Sequence, residues 1–377
     1  MTKRCGRAPA LGATLLALGL LAAAACGPAR TPTGGASTSQ SSQGAQPTAG
    51  EARALTGAGA TFPAVLYSKW FDEYDKAAGV QVNYQAIGSG GGIKSISDET
   101  VDFGASDAPL TDEQLKDAKG GALLHIPMTL GSVVVTYNLP GYNGSLKLTA
   151  DTLAGIYLGE ITRWNDPRLV ADNAALAPVD KSIAVVHRSD GSGTTAIFTD
   201  YLSAVSPAWR QRVGTSTSVN WPVGLGGKGN EGVAGEVKQN DYSLGYVELI
   251  YALQNKLGVA QLKNRAGQFV EPSVASTTAA AAGVAETIPD DLRVSIVDAA
   301  GDDAYPIAGF TYQLVYQNMT DRAKAAALAK LLWWEIHEGQ QYCADLGYAP
   351  LPAAIVQKAE AKIEAITGDG LPALGAS

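Results

Sequence analysis

The sequence predicts an α/β protein built as two lobes. Strand-like runs alternate with helix-like runs along most of the chain, the pattern of mainly parallel sheets flanked by helices. Two long extended runs, residues 123–138 and 305–316, read as strands that cross from one lobe to the other. Three Gly/Ser/Thr-rich loops follow predicted strands and open predicted helices, and ligands of such sheets bind beyond the carboxyl ends of strands. The 377 residues suffice for two lobes with cores of their own.

The elements follow in order. Residues 55–59 form a short strand. Pro63 suits the first turn of a helix, where its missing N–H costs nothing. Val65, Leu66, Trp70, Phe71 and Tyr74 then recur at helical spacing, and Gly79 ends that helix. Val80, Val82, Tyr84 and Ala86 alternate as a strand, and a helix restarts at Ile93. A strand at 101–105 delivers Ser106-Asp107-Ala108-Pro109 at its end, and 112–119 is helical. The crossing run LLHIPMTLGSVVVTYN is β-branched and apolar, with a proline and a glycine inside it. A helix at 149–157, a buried-type strand at 183–187 and a helix at 194–203 come next. The glycine-rich run WPVGLGGKGN, 221–230, is expected to line the cleft as a structural loop, with Lys228 adding positive potential. A strand at 243–247, the second crossing and an amphipathic helix at 323–338 complete the order.

The N-terminus stands outside this fold. Residues 1–25 read as a signal peptide: Lys3, Arg4 and Arg7 precede an apolar run too short to span a bilayer comfortably. Ala23-Ala24-Ala25-Cys26 resembles a lipoprotein signal box, with Ala where Leu is commoner three places before the cysteine. Ordinary cleavage at an Ala-x-Ala site is the alternative. Residues 26–53 then read as a lipidated cysteine and a flexible low-complexity tether, with a span of roughly 26–31 Å. Cys343 is left alone in the mature chain, so no internal disulfide is expected, and it reads as a small buried apolar residue.

Charge and motif content exclude several functions. The leader carries three basic residues and no acid, so its removal takes the net charge from −8 to −11. Nucleic acid is therefore not an expected partner. His125, His187 and His337 lack ligand spacing, so no metal is expected, and no G-x-x-x-x-G-K-[ST] string for ATP occurs. Asp190-Gly191-Ser192-Gly193 with nearby His187 faintly resembles a serine-hydrolase loop, but nothing supplies a separate base or a metal.

The three loops read Gly57-Ala58-Gly59-Ala60-Thr61-Phe62-Pro63, Gly88-Ser89-Gly90-Gly91-Gly92 and Arg188-Ser189-Asp190-Gly191-Ser192-Gly193-Thr194. A helix start offers free N–H groups and a positive dipole end, glycines allow close approach and hydroxyls add donors. Together they suggest a small oxyanion held on all sides, with Arg188 supplying charge and a planar fork.

GAGATFPA, VDFGASDAPL, DGSGT and WPVGLGGKGN resemble the phosphate-binding protein family of the Pst-type ABC transporter, from about residue 55 to 352. The resemblance implies a periplasmic-binding-protein-like fold. Each lobe is a mixed, mainly parallel sheet, and two hinge strands join the lobes. The first lobe takes 54–130 plus 308–377 and the second 131–307. It implies capture of inorganic phosphate outside the cytoplasm and delivery to permease subunits with a cytoplasmic ATPase. The protein is then a monomer at the outer face of the membrane, anchored there or periplasmic, not an enzyme and without cofactor. The site implied by the family falls on the Thr61 hydroxyl, the Phe62 N–H, Ser89, Asp107, Arg188, Asp190, Ser192, Gly193 and Thr194. In it Asp190 orients Arg188, or serves only as a helix cap. Asp107 can only accept a hydrogen bond, so it favours an anion that still carries a proton. Another oxyanion, sulfate or molybdate, is the alternative ligand; a secreted phosphatase or serine hydrolase is the rival class.

Overall fold

The computed structural model describes residues 50–284 and 287–375. The expected signal peptide, the lipidated Cys26 and the tether up to residue 49 lie outside the described residues. Glu51 and Ala52 already touch the folded body: Glu51 pairs with Lys330 at 2.5 Å, and the Ala52 N–H donates to the Ala323 carbonyl.

The chain opens with β1 (Ala54–Gly59), α1 (Ala64–Ala78), β2 (Gln81–Ala86), α2 (Ser89–Ser97), β3 (Phe103–Ser106) and α3 (Asp112–Asp117). The first crossing run is β4 (Leu123–Asn138). Then come α4 (Ala150–Tyr157), β5 (Ala184–Arg188), α5 (Gly193–Val205), β6 (Leu225–Gly227), α6 (Gly229–Gln239) and β7 (Ser243–Glu248). They are followed by α7 (Leu249–Asn255), β8 (Gly258–Val259), β9 (Ala308–Tyr316) and α8 (Arg322–Ile336). Nine strands of the described residues share one mixed sheet in the order β2-β1-β3-β9-β4-β7-β5-β6, with β8 also on β4.

The sheet turns about β4. Its residues Leu123–Ser132 pair antiparallel with β9, and Val133–Asn138 pair antiparallel with β7. The parallel block β2-β1-β3 thus lies on one side and the parallel block β7-β5-β6 on the other. The two crossings run side by side, since β9 starts with Ala308 opposite Ser132 and the Val133 N–H donates to the Ile307 carbonyl at 2.8 Å. Nearly every residue of β4 is buried, as its largely apolar run requires of a strand covered on both faces. Its two odd residues have local causes. Pro127 sits where the β4–β9 register shifts, at a bulge, where a proline's missing N–H is tolerated. Gly131 leaves room for a ring, because a Cβ there would stand 2.5 Å from Phe62 Cζ.

Most elements lie where their periodicity places them. Gly79 closes α1 with φ 66°, and Thr149 starts α4 with a reciprocal capping box to Thr152. The second glycine loop differs. It is the first turn of α2, which begins at Ser89 and not at Ile93. Three successive glycines argue against a helix on propensity alone. Here they serve packing: a Cβ on Gly92 would lie 2.5 Å from Gly59 Cα and 2.6 Å from the Ala105 carbonyl oxygen. The helix start can sit on β1 and β3 only without side chains. No helix of the described residues is long and apolar enough to cross a membrane.

This contact gives a paired test by urea unfolding. Gly92→Ala meets backbone on every side and should lose about 1–3 kcal/mol. Gly235→Ala in α6, where a Cβ meets nothing within 4 Å, should stay within about 1 kcal/mol of the parent, on the stable side.

Candidate functional site

Four helix starts converge at the carboxyl ends of β1, β3 and β5. Thr61 and Phe62 lead into α1, Ser89 opens α2, Gly193 opens α5 and Gly229 opens α6. The first three are the predicted loops. Ser89 Oγ joins two of them, accepting from the Gly193 N–H at 2.9 Å and the Asp107 N–H at 3.4 Å. Gly193 must be glycine: a Cβ would lie 2.6 Å from both Asp107 Cβ and Ser89 Oγ. The loops meet again where the Gly90 N–H donates to the Gly191 carbonyl at 2.9 Å.

Arg188 ends β5 and is only 3% exposed. Its Nε donates to Asp190 Oδ1 at 2.8 Å and its Nη2 to Asp190 Oδ2 at 2.6 Å, a two-pronged pair. Nη1 reaches Thr194 Oγ1 at 3.4 Å. Asp190 Oδ1 also accepts from the Gly229 N–H at 3.0 Å. Burial pushes the Asp190 carboxyl up, but the hydrogen bonds and charge of Arg188 outweigh it and hold the group below its ordinary value. Asp190 therefore orients Arg188 and receives the start of α6. The cap of α5 is Ser192, whose Oγ accepts from the Thr195 N–H at 3.0 Å.

Asp107 follows β3 and is likewise 3% exposed. Its Oδ1 accepts from Thr311 Oγ1 of β9 at 2.8 Å. Burial pushes this carboxyl up to about 7, with Thr311, Arg188, Ser89 and the Thr194 N–H pulling the other way. A buried acid near this value can accept or donate around neutral pH.

All nine expected residues fall in this one region, and the structure adds residues that the sequence did not single out. Asn230, at the end of WPVGLGGKGN, donates through Nδ2 to Thr61 Oγ1 at 2.8 Å and to Thr194 Oγ1 at 3.2 Å. The glycine-rich run is thus more than a lining loop. It forms β6, pairs with β5 and places the α6 start against the other three. Its signal was an Asn at a helix start after Gly-Lys-Gly, a weak cue alone. Lys228 is exposed just before α6. Thr311 carried no cue within an apolar strand. Tyr251 and Tyr348 hold the first loop from behind, donating to the carbonyls of Thr61 at 2.6 Å and Phe62 at 2.7 Å.

The hydrolase pairing has other engagements. The His187 ring stacks on Trp221 at 4.8 Å, with Nδ1 2.9 Å from the Arg188 carbonyl, while Ser192 caps α5. Among the described residues no group of three or more His, Cys, Asp and Glu could hold a metal ion. Cys343 is free and buried, its thiol pushed up to about 12 by burial.

Residues 31–333 match the PBP superfamily domain. The chain is 44% identical over 323 residues to the phosphate-binding protein PstS of Pasteurella multocida, covering 85% of this chain and 93% of the relative. It is 45% identical over 308 residues to PstS of Xylella fastidiosa, covering 81% and 84%. The chain belongs to the PstS family of phosphate-binding proteins. A PstS protein of Methanocaldococcus jannaschii is 41% identical over 324 residues, covering 79% of this chain and 82% of its own. Solved structures share the fold at low identity. A high affinity periplasmic phosphate-binding protein with bound phosphate aligns with TM-score 0.66 at 23% identity, covering 81% and 93%. A phosphate-binding protein from Stenotrophomonas maltophilia aligns with TM-score 0.63 at 23% identity, covering 82% and 93%. The PstS family assignment and these likenesses give the mixed sheet its fold, the two-lobed binding-protein architecture.

Asp107 yields a pH test. Its folded pKa of about 7 lies above the unfolded carboxyl value of about 3.9, so between these values the folded state holds a proton that the unfolded state lacks. Stability from this group is full below about pH 4 and is lost as pH rises towards 7. The difference in urea stability between the parent and Asp107→Asn should therefore fall over that window and level off above it. A difference that rises over the window would contradict the assigned pKa.

Proposed function

We propose that this protein binds one inorganic phosphate between its lobes outside the cytoplasm and hands it to an ABC import permease driven by a cytoplasmic ATPase. The observation that carries the reading is the pairing of opposite demands in one buried site. Arg188, held by Asp190, has further Nη hydrogens to offer ionised oxygens, while Asp107 serves beside it as an acceptor. The ligand that the family is named for and the anion-ready helix starts support it.

Phosphate near neutral pH carries about −1.5 to −2 charges, as a phosphoryl group does, and retains a proton for part of the time. In this reading the Phe62 N–H and the hydroxyls of Thr61, Ser89, Ser192 and Thr194 contact ionised oxygens, and Gly193, whose N–H is taken by Ser89 Oγ, lets the ion approach the start of α5 closely. Asp107 accepts from the protonated one. Sulfate brings no proton and leaves two acceptors face to face.

Residues 54–130 with 308–377 form one lobe and 131–307 the other, and they close by hinging at β4 and the run into β9. A cavity of about 320 Å³ opens onto Asp107 and is lined by Ala108 and Thr111 from the first and Ile197 and Asp200 from the second, an entry route for the ion. Cys26 carries the lipid that holds a monomer at the outer membrane face. The protein binds without turnover.

Calorimetry tests these statements. Phosphate should bind at one site per chain, and a chromogenic phosphate ester should not be hydrolysed. Arg188→Ala should weaken phosphate by about 2–5 kcal/mol, roughly thirtyfold to several thousandfold; near-parental affinity would overturn the assignment.

Sulfate gives a second, independent measurement. Protonated Asp107 can donate to sulfate, so sulfate should bind about tenfold more tightly at pH 5 than at pH 8, following the protonated fraction of a group at about 7. Asp107→Asn should remove that dependence; a parent whose sulfate affinity does not change with pH would refute the proton argument.

A further inference from the structure

Asn230 holds a position that the proposed contacts leave unexplained. It is fully buried at the start of α6. Its Oδ1 accepts from the Glu248 N–H at 2.9 Å, which fixes the amide so that Nδ2 faces the cradle. The two Nδ2 hydrogens then divide between Thr61 Oγ1 and Thr194 Oγ1. Thr61 follows β1, Thr194 lies in α5, and the two are brought together by the fold alone.

A hydroxyl has one hydrogen and two lone pairs. Thr61 Oγ1 accepts from Asn230 Nδ2 at 2.8 Å and from the Asn230 N–H at 3.2 Å, so both lone pairs are engaged. Thr194 Oγ1 accepts from Asn230 Nδ2 at 3.2 Å and from Arg188 Nη1 at 3.4 Å. Each hydroxyl is left with its hydrogen as the only polar group to offer. We propose that Asn230 is a specificity-determining positioning residue that forces the Thr61 and Thr194 hydroxyls to act as donors, so that this side of the cradle accepts only ionised oxygens. The proton of the ligand is thereby directed to Asp107, the acceptor in the cradle. The inference rests on phosphate or a like oxyanion occupying the cradle.

The alternative role for Asn230 is structural, a buried bridge between loops. The two roles differ in what they couple to. A bridge through Thr61 Oγ1 couples to that hydroxyl in the stability of the fold, so its loss shows in the unfolding temperature without phosphate. A hydroxyl-orienting residue loses its effect on binding once the hydroxyl is gone.

The experiment is a double-mutant cycle read by phosphate calorimetry on the mature chain, with thermal unfolding of each variant without phosphate. Asn230→Ala should weaken phosphate about 10- to 100-fold, the range for a lost hydrogen bond to a charged group. In the Thr61→Val background the same change should cost at least about threefold less, because half of its action is already removed. Asn230→Asp serves where the alanine variant folds poorly. It keeps the acceptor for the Glu248 N–H and turns the donor into a competing acceptor, so phosphate should weaken by more than about 100-fold with near-parental unfolding temperature. Equal losses in the parent and Thr61→Val backgrounds, or parental affinity in either Asn230 variant, would overturn the proposal. A folded parent that binds no phosphate would overturn the function proposed above as well, which separates the two failures.

Discussion

Arg188 is a guanidinium taken almost completely out of water, and the site is organised around that cost. An unpaired buried cation is strongly unfavourable, so a partner must be supplied within the fold. Asp190, two residues on, occupies the Nε and Nη2 edge. Asp190 in turn accepts from the Gly229 N–H, so neutralising the arginine also anchors α6. With that pair formed, its formal charge is zero. In the proposed function the anion is then held by directed donors and helix ends in a dry site, where such groups count for more than in water. This removes the apparent conflict between an anionic ligand and a chain of net charge −8. Exposed acids farther than about 8 Å are screened, while the donors are in contact.

Bringing four helix starts together leaves no room for side chains between them, and this explains the glycines better than flexibility does. Gly92 lies against the β1 and β3 backbone, and Gly193 lies against Asp107 and Ser89. Both are helical residues, at positions where alanine has the better intrinsic propensity. Packing therefore overrides propensity here, and it does so at the points where donors must converge. The same exclusion dries the site and raises the proton affinity of Asp107.

What the sequence reveals follows the range of each interaction. β4 is legible to both ends because sixteen residues of one run carry the signal. The Arg188–Asp190 pair is legible because it is local, two residues apart on one loop. The α2 start is misplaced by four residues because its glycines obey a contact with β1 and β3 that no local pattern encodes. Asn230 and Thr311 escape for the same reason. Asn230 meets Thr61 across 169 positions, and Thr311 meets Asp107 across 204. A polar residue in an apolar strand or glycine run becomes informative only when its distant partner is known.

Thr311 also decides how Asp107 faces the cradle. By donating to Oδ1 it leaves Oδ2 as the outward oxygen, on the side of Gly193. An acid whose pKa lies near neutrality shares one proton with any oxyanion that meets it, and what matters is whether the pair together holds that proton. In the proposed function phosphate brings the proton itself, so the contact forms with Asp107 ionised. Sulfate cannot, so the contact forms only if Asp107 has already been protonated from solution. Selectivity of the proposed site is thus a property of the acid and the ligand counted together. The burial that raises Asp107 has a limit set by this count: raised further, the acid would stay protonated at neutral pH and would donate to either ion. The opposing pull of Thr311, Ser89, Arg188 and the Thr194 N–H keeps it near 7, where the acceptor form is still available to tell the two ions apart.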